Sequence, residues 1–211
     1  DITNTDTSSI TGIISDGASS AILTKAGSGT LTLSGTNTYT GATTVNNGIL
    51  TISGSGKLGN GNYTGTLTVA AGKTFNYSSS SAQSFSDWGA GTGTINLNGS
   101  DIVTLSGNQD FTGTLNVSQM LIMVAVNANT EIAGLGNAAT IDIQNGGTIK
   151  IQQVNHNAFL GYQSSGAPDI YIRTGGELTT DDDNGAYGNH IGGSLTLDGG
   201  TLSWEEASGD Y

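Results

Sequence analysis

TIDIQNGGTIKI, residues 140–151, reads as two short strands meeting at a glycine corner. Apolar and polar residues alternate on both sides, so Ile141 and Ile143 share one face while Thr140 and Asp142 point the other way. Ile149 and Ile151 resume the inward face beyond Gly146 and Gly147. Strands this short cannot bury themselves, so the chain must supply others to stack on them.

It does so repeatedly. TTVNNGILTI (43–52), TLTVAAGKTFNY (66–77), DIYIRTGGELTT (169–180) and SLTLDGGTLSW (194–204) repeat the strand, the glycine and the second strand. Their inward pairs are Leu67 and Val69 with Phe75 and Tyr77, Ile170 and Ile172 with Leu178, and Leu195 and Leu197 with Leu202 and Trp204. Asn-Gly and Gly-Gly between alternating runs are also hairpin signals. Against a hairpin stands the spacing of Val45, Val69, Ile143, Ile172 and Leu197, which fits one to three turns of a coil returning to the same wall every ~20 to 30 residues. Each turn would lay its strand parallel on the last at roughly 4.8 Å. LSGTNTYTGATTV (33–45) is echoed by LSGNQDFTGTLNV (105–117), so that Leu33 answers to Leu105 and Val45 to Val117, an offset close to three such turns. The fold expected is all-β, a right-handed parallel β-helix (solenoid) running through 1–211 as a single segment, with irregular loops near 78–92, 126–139, 155–168 and 181–193.

Composition agrees. Only 35% of the 211 residues are hydrophobic, a share that a solenoid interior of stacked side chains can use and a compact globule would find scarce. Glycine occurs 34 times against one proline, Pro168. The net charge of -12 repels phosphate backbones, which argues against nucleic acid as a partner. The absence of cysteine removes disulfides, thiolate metal sites and thiol nucleophiles. No apolar run reaches the ~18 residues of a spanning helix, and the longest, Met120 to Val126, has the length of a buried strand. Because the chain opens at Asp1 without methionine and ends at Tyr211 in polar sequence, it reads as part of something longer, with any signal, anchor or membrane contact outside it.

Residues 22–61, ILTKAGSGTLTLSGTNTYTGATTVNNGILTISGSGKLGNG, carry K-x-G-x-G-T-L-T-L-S-G at Lys25 to Gly35, N-T-Y-T-G at Asn37 to Gly41 and T-V-x-x-G-x-L at Thr44 to Leu50. This stretch resembles the passenger-associated transport repeat of bacterial autotransporters, the passenger arm of type V secretion. The resemblance implies a parallel β-helical stalk, secreted or displayed on the bacterial cell surface outside the outer membrane. Relatives include adhesins, self-associating proteins, proteases and esterases, so it implies no single activity.

No residue is assigned a catalytic, cofactor-binding or metal-binding role. Asp181, Asp182 and Asp183 with Asn184 and Gly185 form the densest acidic run, which reads as a solvated loop after the strand 177–180; its hard oxygens suit calcium as the alternative, although an EF-hand's distal Glu is missing. Asp169, Asp181, Asp183, Asp198, Glu205 and Glu206 are the carboxylates to weigh for acid–base work on a sugar, with Asp198 needing a second carboxylate one coil away. His156 and His190 sit in no recognised motif, and Tyr187 near His190 completes no triad. The aromatics Tyr39, Phe75, Tyr77, Trp88, Phe111, Phe159, Tyr162 and Trp204 suit either a sugar-stacking platform or interior and corner packing; the pair Tyr39 and Phe111 reads as interior stacking, while Trp88 in SFSDWGAG is the one to test for ligand contact. The expected role is a stalk for adhesion or self-association, meeting a host or neighbouring-cell surface or glycans through its outer faces. A polysaccharide-binding or polysaccharide-degrading β-helix is the alternative.

Overall fold

The computed structural model describes residues 1–107, 109–124, 140–152, 159–160, 168–182, 190–191 and 194–206. Among them the structure is a parallel β-solenoid, and the one helical element is a short 3-10 turn at Gly59–Gly61. Two long walls and a shorter one surround the interior. The first wall has nine strands: Ser8–Ile10, Thr30–Leu33, Ile49–Gly54, Thr74–Ser79, Thr94–Leu97, Thr114–Val117, Thr140–Ile143, Asp169–Arg173 and Leu195–Asp198. The second has seven: Asn62–Tyr63, Gln83–Phe85, Val103–Ser106, Met120–Val124, Thr148–Gln152, Glu177–Asp182 and Thr201–Glu206. The third, Leu23–Lys25, Thr43–Val45 and Leu67–Val69, has three and is extended by a bridge from Leu67 to Trp88.

Every described strand pairs in parallel with the equivalent strand of an adjacent coil, so the hairpin alternative is excluded. Residues join walls because alternation supplies one inward side chain in two, and stacking then matches like with like. On the first wall one interior file runs Leu31, Leu50, Phe75, Ile95, Leu115, Ile141, Ile170. Its neighbour runs Leu33, Ile52, Tyr77, Leu97, Val117, Ile143, Ile172. All fourteen are buried. Coil length varies along the stack: the chain returns to the first wall quickly between Thr30 and its partner Ile49, and by a longer route between Thr140 and its partner Asp169.

The NGG-type corners divide their labour. At Gly146–Gly147, Gly175–Gly176 and Gly199–Gly200 the first glycine has φ of 79°, 77° and 75°, a left-handed turn that a Cβ disfavours. The second is held against the preceding coil instead. A Cβ on Gly147 would stand 2.0 Å from the Val117 carbonyl oxygen, and one on Gly176 would stand 2.5 Å from that of Ile143.

Several sequence expectations need correction. The strand–glycine–strand unit marks a corner without saying which corner. TLTVAAGKTFNY crosses from the third wall to the first, whereas TIDIQNGGTIKI crosses from the first to the second. Val45 and Val69 therefore belong to a different file from Ile143, Ile172 and Leu197. The echo between 33–45 and 105–117 is likewise displaced by a wall, since Leu33 lies on the first and Leu105 on the second. Segment 78–92 is coil and not a projecting loop, because it completes one strand at Ser79, contains Gln83–Phe85 and buries Trp88. Leu195 and Leu197 continue the interior files of the first wall but are 36% and 54% exposed, because their strand is the last of that wall and no described strand stacks on its far side.

Of the other expected loops, 126–139 lies outside the described residues. In 155–168 and 181–193 the structure describes Phe159–Leu160 and His190–Ile191, which pair in parallel with each other, together with Pro168 and the strand ends Asp181 and Asp182.

Candidate functional site

The interior shows what the aromatic residues do. Tyr39, Tyr63, Phe85, Trp88 and Phe111 form a continuous run of edge-to-face contacts with centroids 5.9 to 6.2 Å apart. Phe85 is its hub, touching Phe75 and Tyr77 as well. Trp88 is fully buried in this run, so it is a packing residue and the expectation of ligand contact at its ring fails. Tyr39 and Phe111 are interior, as expected.

Two polar devices hold coil to coil. The first is a hydroxyl chain in which Tyr39 Oη and Tyr63 Oη each lie 2.7 Å from Thr43 Oγ1, and Tyr63 Oη also donates to the Gly41 carbonyl at 2.6 Å. The second is a set of buried side-chain amides that the sequence reading missed. Gln83 accepts from Leu58 N at 2.9 Å and returns a bond to the Leu58 carbonyl at 3.1 Å. Gln109 accepts from Trp88 N at 2.6 Å and donates to the Ser106 and Gly107 carbonyls. Gln119 accepts from Gly99 N and donates to the Asp101 carbonyl, and Asn37 accepts from Ile14 N and donates to the Lys57 carbonyl. A glutamine in an Asn- and Ser-rich corner carries no periodic signal, which is why alternation alone could not find them.

Lys25, from the K-x-G-x-G motif, is buried with its ammonium donating to the carbonyls of Gly27 and Asn47. Burial lowers its pKa from 10.5. Burial raises the hydroxyls of Tyr63 and Tyr77 to about 12, and that of Tyr39 further. These shifts oppose each other in pH. Lys25 loses its proton more readily when folded, so its contribution to stability rises with pH up to 10.5. The tyrosines hold theirs longer when folded, so their contribution is complete below about pH 10 and falls above it, by about 1.4 kcal/mol per pH unit for each group. We expect stability to fall steeply between about pH 10 and 12, with the tyrosinate absorbance of Tyr39, Tyr63 and Tyr77 appearing together with loss of the β signal in circular dichroism. Ionisation of more than four of the seven tyrosines before the β structure is lost would contradict these three buried hydroxyls.

Outside, the first wall presents two regular files. Thr74, Thr94, Thr114 and Thr140 are in register, and beside them run Thr51, Asn76, Asn96, Asn116, Asp142 and Tyr171. The asparagines form a ladder: Asn116 Nδ2 donates to Asn96 Oδ1 at 2.7 Å, Asn96 Nδ2 to Asn76 Oδ1 at 2.8 Å, and Asn76 Nδ2 to Thr51 Oγ1 at 3.2 Å. Each amide is polarised by the next, which favours one arrangement of the whole file.

Among the described residues, Asp198 finds no carboxylate one coil away. The residue one coil from Asp198 on this wall is Arg173, which bonds Asp142 at 2.9 Å through Nε and Asp198 at 3.3 Å through Nη1, and lies over the ring of Tyr171 at 4.9 Å. Both carboxylates are therefore tied to a cation, and the Arg173 pKa is raised, chiefly by its hydrogen bond to Asp142. Asp169 accepts a hydrogen bond from Ser194. Of the acidic run, Asp181 and Asp182 end the strand Glu177–Asp182 and Asp183 lies outside the described residues. Glu205 and Glu206 end the last strand of the second wall, and His190 lies in the strand paired with Phe159–Leu160. His156, Tyr162, Asn184, Gly185 and Tyr187 lie outside the described residues. Among those described, no group of three or more His, Cys, Asp or Glu converges as a metal site, and no helix is long and apolar enough to cross a membrane.

No curated protein and no solved structure matches the chain. A family model does, over a stretch that includes Lys25, the Asn37–Gly41 step and the Gly48 corner. Residues 23–52 match the passenger-associated-transport-repeat, the repeat of autotransporter passengers, and in this chain that repeat is built into a parallel β-solenoid.

Proposed function

We propose that this chain is a rigid segment of a surface-displayed autotransporter passenger and serves adhesion or self-association through its outer walls, without catalysis and without a cofactor. A passenger repeat suggests a secreted or surface-exposed protein. The observation that carries the reading further is the first wall's outer face. Its Thr and Asn files recur at one spacing over successive coils, a surface suited to many weak, additive polar contacts with a glycan coat, a host cell or a neighbouring bacterium. The acidic balance favours polar or calcium-bridged contact over hydrophobic capture, and the run Asp181–Asp183 is where calcium would be sought by titration.

The test is a bead-aggregation and cell-binding assay with the quadruple variant Thr94→Ala, Asn96→Ala, Thr114→Ala, Asn116→Ala. Because all four side chains face outward, the β spectrum should persist while binding falls about tenfold, the effect of losing ~1.4 kcal/mol. Full binding by the folded variant would remove this wall from the adhesive surface. Full binding after deletion of the whole segment would reduce it to a spacer. The polysaccharide-degrading alternative is disfavoured by Arg173, which engages Asp142 and Asp198, two of the three described carboxylates on this wall.

A further inference from the structure

The sequence contains Asn-x-Ser/Thr at four places: Asn62-Tyr63-Thr64, Asn76-Tyr77-Ser78, Asn98-Gly99-Ser100 and Asn116-Val117-Ser118. This tripeptide is the acceptor for N-linked sugar, a modification that needs a surface position. In an Asn- and Ser-rich chain some copies arise by composition alone, so the structure must distinguish them.

It separates them into two pairs. Asn76 and Asn116 are half-buried rungs of the amide ladder, and the Nδ2 that would become the nucleophile is already donating, to Thr51 in one case and Asn96 in the other. Attaching a sugar there breaks a rung and pushes a bulky group between neighbouring side chains of a packed file. Asn62 and Asn98 lie outside the ladder. In the first, strand alternation turns Asn62 and Thr64 outward together while Tyr63 between them is fully buried, with its hydroxyl fixed by Thr43 and Gly41. The acceptor amide and the hydroxyl two residues on thus stand exposed on one side of an anchored backbone. Asn98 and Ser100 are both exposed at the corner that follows Thr94–Leu97. The Asn98 amide accepts from Ser78 through Oδ1, so the Nδ2 that would carry the sugar is not the atom this bond uses.

We propose that Asn62 and Asn98 are N-glycosylation sites of the folded solenoid and that Asn76 and Asn116 are not. In the transfer, Nδ2 forms a bond to the anomeric carbon of a nucleotide-activated hexose. The nucleoside diphosphate leaves with the electron pair of the broken C–O bond, and the amide gives up one proton to solvent, with no change of oxidation state.

The experiment incubates the folded protein, and the same protein in denaturant-treated and proteolysed form, with a transferase that reads Asn-x-Ser/Thr and with UDP-glucose. Site occupancy is read by peptide mass spectrometry. The expected result is hexose on all four asparagines of the unfolded material, but in the folded protein occupancy at Asn76 and Asn116 about tenfold or more below that at Asn62 and Asn98. Thr64→Ala should abolish modification at Asn62 and leave Asn98 unchanged, which ties the reaction to the tripeptide and not to exposure alone. Equal occupancy at all four sites of the folded protein would overturn the proposal. So would refusal of Asn62 and Asn98 in folded and unfolded material alike.

Discussion

Phe85→Ala is expected to destabilise the solenoid by about 4 kcal/mol, within the range for removing a buried phenylalanine. The side chain is fully buried and makes four edge-to-face contacts, to Tyr63, Phe75, Tyr77 and Trp88. Those partners come from two successive coils and from all three sides of the interior, so no single neighbour can move in to fill the space. A cavity would remain, and with it the loss of aromatic pairing worth about 0.5–1.5 kcal/mol per contact, not fully additive. Because a solenoid is held by nearest-neighbour coils, the loss should be local. Amide exchange should accelerate most over residues 62–106 and least in the strands after Thr140. A variant whose denaturant midpoint barely moves, or whose exchange rises uniformly, would show that the aromatic run does not bind these coils together. Phe85→Leu should recover most of the loss.

The second large effect is expected at a glycine. Gly147→Ala places a methyl 2.0 Å from the Val117 carbonyl oxygen, and the nearest atoms are backbone, so only a separation of two coils relieves the clash. Its neighbour gives the control. Gly146→Ala meets nothing closer than the Ser118 carbonyl oxygen at 3.8 Å, and its cost is confined to the left-handed φ of 79°, about 1 kcal/mol. We expect Gly147→Ala to cost about 3 kcal/mol, at the upper end for forced overpacking, and so clearly more than Gly146→Ala. Equal costs, measured by denaturation of the two variants side by side, would mean that the coils are not in contact at this corner.

The difference between these two glycines also explains what the sequence could and could not convey. Alternation about a Gly-Gly pair announces a corner, and the inward residues Ile141, Ile143, Ile149 and Ile151 follow from the two-residue period alone. Which corner it is depends on how much chain the previous coil consumed, and that amount differs between the coil closing at Ile49 and the one closing at Asp169. Hence TLTVAAGKTFNY and TIDIQNGGTIKI look like copies yet occupy different walls, and the echo of 33–45 in 105–117 lands one wall out of phase. Position in the stack matters too: Leu195 and Leu197 have the pattern of core residues, but their strand ends the wall. Trp88 escapes a sequence reading for a related reason. SFSDWGAG lacks alternation because the chain bends there, and a bend around a buried ring looks in one dimension like a loop. For the outer face, the sequence shows that Thr and Asn point outward, whereas the ladder that ties Asn76, Asn96 and Asn116 depends on register between strands of separate coils.

The buried amides give the stack a direction. Asn37, Gln83, Gln109 and Gln119 each satisfy a backbone N–H that precedes them by roughly one coil, at Ile14, Leu58, Trp88 and Gly99. Each of those N–H groups waits for a residue that has not yet arrived when the chain emerges from its N-terminus, and finds it at once when the chain emerges from the other end. A solenoid threaded out of a pore in one sense would therefore close its latches behind the advancing front, and in the opposite sense would carry each latch out ahead of the strand it fastens.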